Sequence, residues 1–311
     1  MARVVTYLSH SDCGRHDTGW GHPEHVGRLR AIARAVGSDV GLATTIEQRE
    51  GRHATPDELA LVHDPTYIEH IRGVARPGEL VRVEADTVVS EGSWDAATAA
   101  AGCVLDAVDL AVSGQSARSF AAVRPPGHHA MRDRPMGFCL FGNAALAARY
   151  ARTRHAVDRV LIVDWDVHHG NGTQALVQGD PGIHFVSMHQ WPWYPGTGAS
   201  DDRGPLRTIW NVPMPAGRPA VEYRGALIHA VDEAADGFTP QLILLSAGFD
   251  SLLGDPLGGF TLEIEDVTLL TQELVTRASA WCSGRLVSAL EGGYAPDRIA
   301  QACVAHLRAL Q

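Results

Sequence analysis

The chain of 311 residues is 45% hydrophobic and 20% charged, an ordinary globular balance that excludes a disordered or fibrous protein. A chain of this length buries roughly three quarters of its unfolded surface, so its core needs no disulfide support. The formal charge of -10 comes from 26 basic and 36 acidic residues, and every basic residue is arginine; the missing lysine excludes a Schiff-base enzyme and a P-loop, and the acidic balance argues against a nucleic-acid partner.

In chain order, Val4–Leu8 reads as the first strand, with neither a basic n-region nor a long apolar stretch, so no signal peptide is expected. A helix follows at His25–Val36, another at Ser93–Val112, and a strand at Ser119–Val123. Asn143–Arg152 reads as a helix, Arg159–Asp164 and Ile183–His189 as strands, and Val221–Ala235 as a helix entered after Pro219. The series ends with a strand at Leu242–Ala247, a helix at Leu262–Trp281, a strand at Leu286–Leu290 and a helix at Pro296–Leu310. Apolar runs without alternation, separated by helices, predict an α/β fold with a parallel sheet covered on both faces. Nothing resembles a linker, so residues 1–311 are expected to form one domain. No uncharged apolar run is long enough for a membrane span, so no membrane partner is expected. The cysteines at 13, 103, 139, 282 and 303 form no CxxC pair and read as reduced thiols of a cytoplasmic protein. Long loops at His10–Pro23, His189–Pro205 and Gly248–Phe260 are of a length that is usually functional.

Polar clusters follow four predicted strands: Pro125–His129, Asp164–Asn171, Gly248–Asp255 and Glu291–Tyr294. Ligands of open parallel sheets bind at those carboxyl ends. In extended backbone Asp164, Asp166 and His168 share one face, a carboxylate and imidazole pattern suited to Zn²⁺, Fe²⁺ or Mn²⁺. A salt-bridged strand end uses the same residues. Either Asp250 or Asp255 can complete a metal site, and spacing does not choose between them. His128 and His129 are candidates for paired acid–base work, and the Tyr294 phenol for donation to a developing oxyanion. Gly137-Phe138-Cys139 and the run Trp191, Trp193, Tyr194 suit the walls of a narrow apolar channel, or packing under a long loop.

Arg-Pro-Pro-Gly-His-His, Gly-Phe-Cys, Asp-Trp-Asp-Val-His-His-Gly-Asn-Gly, Pro-Gly-Thr-Gly, Ala-Gly-Phe-Asp…Gly-Asp-Pro-Leu-Gly and Glu-Gly-Gly-Tyr occur in this order. The ordered set resembles the histone deacetylase superfamily, specifically class II-like bacterial amidohydrolases. His22-Pro23-Glu24 with Arg28 matches the N-terminal segment of that family, so the resemblance runs from about residue 10 to residue 300. It implies the arginase–deacetylase fold, a single three-layer α/β/α domain with a mostly parallel sheet of about eight strands.

The resemblance further implies Asp166, His168 and Asp255 as ligands of one Zn²⁺ per chain, with Fe²⁺ as the alternative. It makes His128 and His129 the acid–base pair, backed by Asp164 and Asn171, and Tyr294 the oxyanion donor. Asp164, Ser187 and the backbone of Asp166, His168 and Met188 match a structural potassium site. Gly137, Phe138, Tyr194 and Leu257 match the acyl-lysine tunnel, and Asp86 a rim carboxylate. The implied reaction is hydrolysis of an N-acyl-lysine peptide or a similar small acyl amide. An acetylpolyamine deacetylase is the alternative, but Leu257 stands where polyamine-selective relatives place a glutamate. Two other readings are weaker. A binuclear ureohydrolase needs bridging carboxylates that Asn171 and the isolated Asp255 do not supply, and a non-catalytic acyl-lysine-binding module has no need of the complete set of catalytic positions. The chain is also compatible with a homo-oligomer.

Overall fold

The computed structural model describes residues 5–74 and 76–311. The elements run β1 (Val5–Ser9), α1 (Gly27–Ser38), α2 (Val40–Ala43), β2 (Ile46–Glu50), α3 (Pro56–Leu59), α4 (Pro65–Val74), β3 (Leu80–Arg82), β4 (Val88–Ser90), α5 (Ser93–Ser113) and β5 (Arg118–Ala121). They continue through α6 (Asn143–Arg154), β6 (Val160–Asp164), α7 (Asn171–Val177), β7 (Ile183–Gln190), β8 (Ile209–Met214), α8 (Ala220–Ala235), β9 (Leu242–Ala247), α9 (Ile264–Trp281), β10 (Leu286–Leu290) and α10 (Pro296–Ala309). Val4, placed in the first predicted strand, lies outside the described residues.

Eight strands pair in parallel in the order β2-β1-β5-β10-β9-β6-β7-β8, and β3 and β4 form a separate antiparallel hairpin. Apolar layers pack on both faces, as the non-alternating strands require. One layer joins residues of α4, α5 and α6, including Leu105, Val108 and Leu146, to Ile162 and Leu244 of the sheet. The other joins α1, α8, α9 and α10 through Ile32, Leu227, Leu274 and Leu307 to Leu161, Val163 and Leu245. α5 is long and apolar enough to cross a membrane by composition, and here it is mostly buried within the first layer.

The predicted central strands and long helices are all present, with ends displaced by a few residues. α1 begins at Gly27 rather than His25, and α9 at Ile264 behind a capping box of Glu263 and Asp266. β2 and β8, absent from the prediction, are the sheet's two edges. Ile46–Glu50 is largely exposed, and β8 contains Pro213. An edge strand needs no continuous apolar run and tolerates proline, so neither segment carries the signal that marks a buried strand.

Candidate active site

The four strands whose ends carry the polar clusters, β5, β10, β9 and β6, are neighbours at the centre of the sheet. From β6 the chain moves outward to β7 and β8, then returns through β9 and β10 to fill the space between β6 and β5. Parallel pairing brings residues 125–129, 291–294, 248–255 and 164–171 together at one edge.

The alternation expected across Asp164–His168 stops at Asp164, where β6 ends and the chain bends. The residues converge through carboxylate bonds to the backbone instead. Asp164 Oδ1 accepts from the Asp166 N–H at 3.1 Å, and Asp166 Oδ1 from the His168 N–H at 2.9 Å. Asp166 Oδ2 accepts from the Gly292 N–H at 2.8 Å. A Cβ on Gly292 would lie 2.1 Å from Asp250 Oδ2 and 2.6 Å from Asp166 Oδ2, so the Glu-Gly-Gly-Tyr loop needs glycine there to close on the carboxylates.

One donor atom from each of Asp166, His168 and Asp250 lies within 4.8 Å of the other two. His168 Nδ1 is 3.0 Å from Asp166 Oδ1 and 3.2 Å from Asp250 Oδ2. Asp255, the third ligand implied by resemblance, is outside this compact group. Its Oδ2 accepts from the Tyr294 N–H at 2.7 Å and its Oδ1 from the Leu257 N–H at 2.9 Å. Asp250 Oδ1 accepts from the Val167 N–H at 2.8 Å, while its Oδ2 is a buried oxygen without a hydrogen-bond partner.

Asp164, Asp166, Asp250, Asp255 and Glu291 are all buried. Burial, then the charge of Asp166, raises Asp250 to about 7; burial also raises Glu291 to about 7 and lifts Asp164 and Asp255. Against the same burial, His128 and His168 hold Asp166 low. The carboxylates outnumber the cationic side chains among them. Together with the orphaned Asp250 oxygen and a donor set of carboxylate oxygens and imidazole nitrogen, that deficit fits a divalent transition metal.

The tandem histidines have different partners. His128 Nδ1 lies 3.0 Å from Asp164 Oδ2, and His129 Nδ1 lies 2.7 Å from Asn171 Oδ1. Burial lowers both rings; the carboxylates of Asp166 and Asp164 overcome it at His128 and raise that ring well above its ordinary value. At His129 burial is reinforced by His128 and His168, and the ring is pushed well below. Asp164 and Ser187, implied for a monovalent cation, are register partners of β6 and β7, with buried Met188 next to Ser187.

A cavity of about 230 Å³ is lined by Asp86, His129, Gly137, Phe138, His168, Trp193, Tyr194, Leu257 and Tyr294. Every tunnel and rim residue implied by resemblance is therefore on its wall. Gly137 has φ +56°, and a Cβ there would overlap the His129 ring. Trp193 joins the wall and donates from Nε1 to the Leu257 carbonyl at 2.9 Å, whereas Trp191 is not part of the lining. Asp86 Oδ1 accepts from the Gly137 N–H at 3.1 Å and from Thr87 Oγ1 at 2.8 Å, and Thr87 Oγ1 accepts from the Phe138 N–H at 3.0 Å. Thr87 thus pins the aromatic turn, a role with no signal in the sequence. The motif around Glu291 was visible but its use was not: Oε2 accepts from the N–H groups of Gly127 and His128 at 2.6 and 3.1 Å, which fixes the histidine loop.

The histone deacetylase domain model matches residues 22–310. An uncharacterised protein of Synechocystis sp. is 41% identical over 99% of both chains. Histone deacetylase 14, chloroplastic, of Arabidopsis thaliana is 35% identical over 93% of this chain and 73% of its own. Histone deacetylase 9 of Homo sapiens is 35% identical over 96% of this chain, which spans only 32% of the human protein. Among solved structures, the HDA15 HD domain superposes with a TM-score of 0.90 at 34% identity, over 99% of this chain and 88% of that one.

Proposed function

Because the chain belongs to the histone deacetylase family and is a deacetylase hydrolase, we propose that its substrate is an N-acyl-lysine side chain and its cofactor one Zn²⁺, with Fe²⁺ suited to the same donors. The observation that carries this reading is the cavity of about 230 Å³, lined both by Phe138, Tyr194 and Leu257 and by the buried His129, His168 and Tyr294. An apolar lysine stem fits such a wall.

In this reading Asp166, His168 and Asp255 hold the divalent ion, with Asp250 offering a further oxygen from the buried side. Asp164, Ser187 and the backbone of Asp166, His168 and Met188 hold K⁺. When bound, a divalent ion there would polarise the amide carbonyl and lower the pKa of its water towards about 7. The chain's own groups do the rest. Tyr294 donates its phenolic proton in a hydrogen bond to the carbonyl oxygen as that atom gains charge. His128 and His129, titrating as a pair, take a proton from water and give one to the departing amine. Asp164 and Asn171 orient them. At the mouth, the Asp86 carboxylate accepts from the substrate backbone. Leu257 gives a polyamine's internal cation no partner, and desolvating that charge against an apolar wall is costly. The five cysteines are buried and unpaired, which supports a reducing, cytoplasmic setting.

The test compares kcat/KM for an acetyl-lysine peptide with N-acetylputrescine and N-acetylspermidine. The peptide is expected to be the better substrate, and Leu257→Glu to shift the ratio towards the polyamines by about tenfold. Polyamine turnover more than tenfold better in the wild type overturns the lysine reading. Exhaustive chelation is expected to abolish activity, and full activity afterwards overturns the metal. Asp255→Asn is expected to weaken metal binding by more than about tenfold, and by more than Asp250→Asn does; the reverse order moves the third ligand to Asp250.

A further inference from the structure

At one side of the sheet, the carboxyl ends of β1 and β2 gather a second cluster that the hydrolytic reaction does not use. His10 follows β1, Asp12 lies in the 3-10 turn Ser11–Arg15, and His53 follows β2, the parallel partner of β1. One donor atom from each of these three residues lies within 4.8 Å of the other two. The imidazoles stand edge to face at 4.6 Å. Asp12 Oδ2 is 3.1 Å from His53 Nε2 and 3.8 Å from His10 Nδ1, while its Oδ1 is turned to Arg15 at 3.4 Å.

Hydrogen bonding decides which His53 nitrogen is free. Thr98 Oγ1 gives its proton to the Trp94 carbonyl at 2.9 Å, so towards His53 Nδ1, at 2.8 Å, it accepts. Nδ1 therefore carries a proton, and Nε2 is the nitrogen that faces Asp12 Oδ2. Such a contact is closed by a proton on Nε2 or by a metal ion in its place, since metal binding displaces ligand protons. Zinc bonds of about 2.0–2.2 Å, at angles from octahedral to tetrahedral, place neighbouring donors about 2.9–3.5 Å apart. The Nδ1–H bond to Thr98 is the outer contact that ligating imidazoles make. His10 Nδ1 also accepts from the Asp12 N–H at 3.1 Å, which makes His10 the weakest of the three donors. The side chains of His10, Asp12 and His53 are 12%, 24% and 40% exposed, and a cleft lined in part by His10, Ser11 and Glu50 opens beside them, so an ion has a route in.

We propose that His10, Asp12 and His53 form a second divalent-metal site, separate from the catalytic centre. Two imidazoles and one carboxylate select Zn²⁺ or a similar first-row ion over Mg²⁺ and Ca²⁺. An ion there ties the end of β1 to the loop after β2 and fixes the turn that leads towards Glu24 and Arg28.

The test is equilibrium binding of Zn²⁺ to the full chain, counting bound metal and following the thermal midpoint as free Zn²⁺ rises. The wild type is expected to take up a second, weaker equivalent, with a midpoint that climbs as it fills. His53→Gln and Asp12→Asn weaken that equivalent by more than about tenfold, and Thr98→Val, which frees the His53 ring, by about 10–100-fold. Deacetylation with only the tighter site filled is unchanged in all three variants. Asp166→Ala loses the tight equivalent and keeps the weak one, so failure of the catalytic assignment is read separately. A wild type that saturates at one equivalent overturns the proposal. So does a second equivalent bound equally well by His53→Gln.

Discussion

Glu24 sits between two arginines: its carboxylate accepts from Arg124 Nε and Nη2 at 2.5 and 2.7 Å and from Arg28 Nη1 at 3.0 Å, all of it buried. Arg28 also lies over the Tyr294 ring, 5.0 Å from its centroid, so the neighbouring cluster begins one side chain away. There Asp164, Asp166, Asp250, Asp255 and Glu291 share far less positive charge. Burial acts alike on both groups of acids. The guanidiniums nevertheless hold Glu24 well below the usual carboxylate range, whereas Asp250 and Glu291 rise to about 7. Where the fold needs a brace the chain supplies more guanidinium than carboxylate, and where the site needs a cation from outside it supplies more carboxylate.

Removing the brace is expected to have the largest effect. Glu24→Gln leaves two buried guanidiniums without their carboxylate, and breaking a buried ion pair costs about 3–5 kcal/mol of stability. Denaturant unfolding with and without bound metal checks it. Because the brace takes its cations from the chain itself, the loss should be similar in both conditions. A loss that vanishes on adding metal would erase the distinction between the clusters.

Next in size is Tyr294→Phe, on the boundary of the two. The ring keeps its place beneath Arg28 and its backbone N–H still donates to Asp255, so fold and metal content should hold. Losing one oxyanion donor costs about 2.7–4 kcal/mol, or about 10²–10³ in kcat. The measurement is kcat at matched metal content, and a fall below about threefold would make Tyr294 a packing residue.

The sequence revealed the braced half of this comparison less well than the acidic half. The site residues cluster at strand ends, and carboxylates beside histidines are rare enough in an apolar run to stand out. Six strands were legible for the same reason, since Leu242–Ala247 and Leu286–Leu290 are unbroken apolar segments. Glu24, Arg28 and Arg124 fall within the motifs of the resemblance, yet nothing local shows that they meet. Glu24 and Arg28 are four apart, but Arg124 arrives from the end of another strand, and only the fold brings it in. Asp250 and Asp255 look alike in a glycine-rich loop, so spacing did not separate them. The structure gives each different backbone donors, Val167 N–H for one and Tyr294 and Leu257 N–H for the other.

The smallest expected effect uses histidine to sharpen the contrast. His128, beside carboxylates, is raised, whereas His306 has no charged neighbour among the described residues, and burial alone lowers it to about 3. Its surroundings explain why it stays neutral. Thr271 Oγ1 donates to the Val267 carbonyl at 2.7 Å and therefore accepts from His306 Nδ1 at 2.8 Å. Nε2 is left to accept from Ser288 Oγ at 2.9 Å, with Phe120, Trp165 and Phe249 around the ring. The folded pKa lies below the unfolded value of about 6.5. Above pH of about 6.5 neither state carries the proton, and His306 adds no pH dependence. As pH falls towards about 3, the unfolded chain binds a proton that the folded chain excludes, and stability drops by up to about 1.4 kcal/mol per pH unit. Because other histidines also titrate in this range, the quantity to measure is a difference. His306→Gln should lower stability near neutral pH and flatten its slope between about pH 6 and pH 4 by close to one proton. An unchanged slope would mean that His306 is protonated in the folded chain, and that burial alone does not keep a histidine neutral in this core.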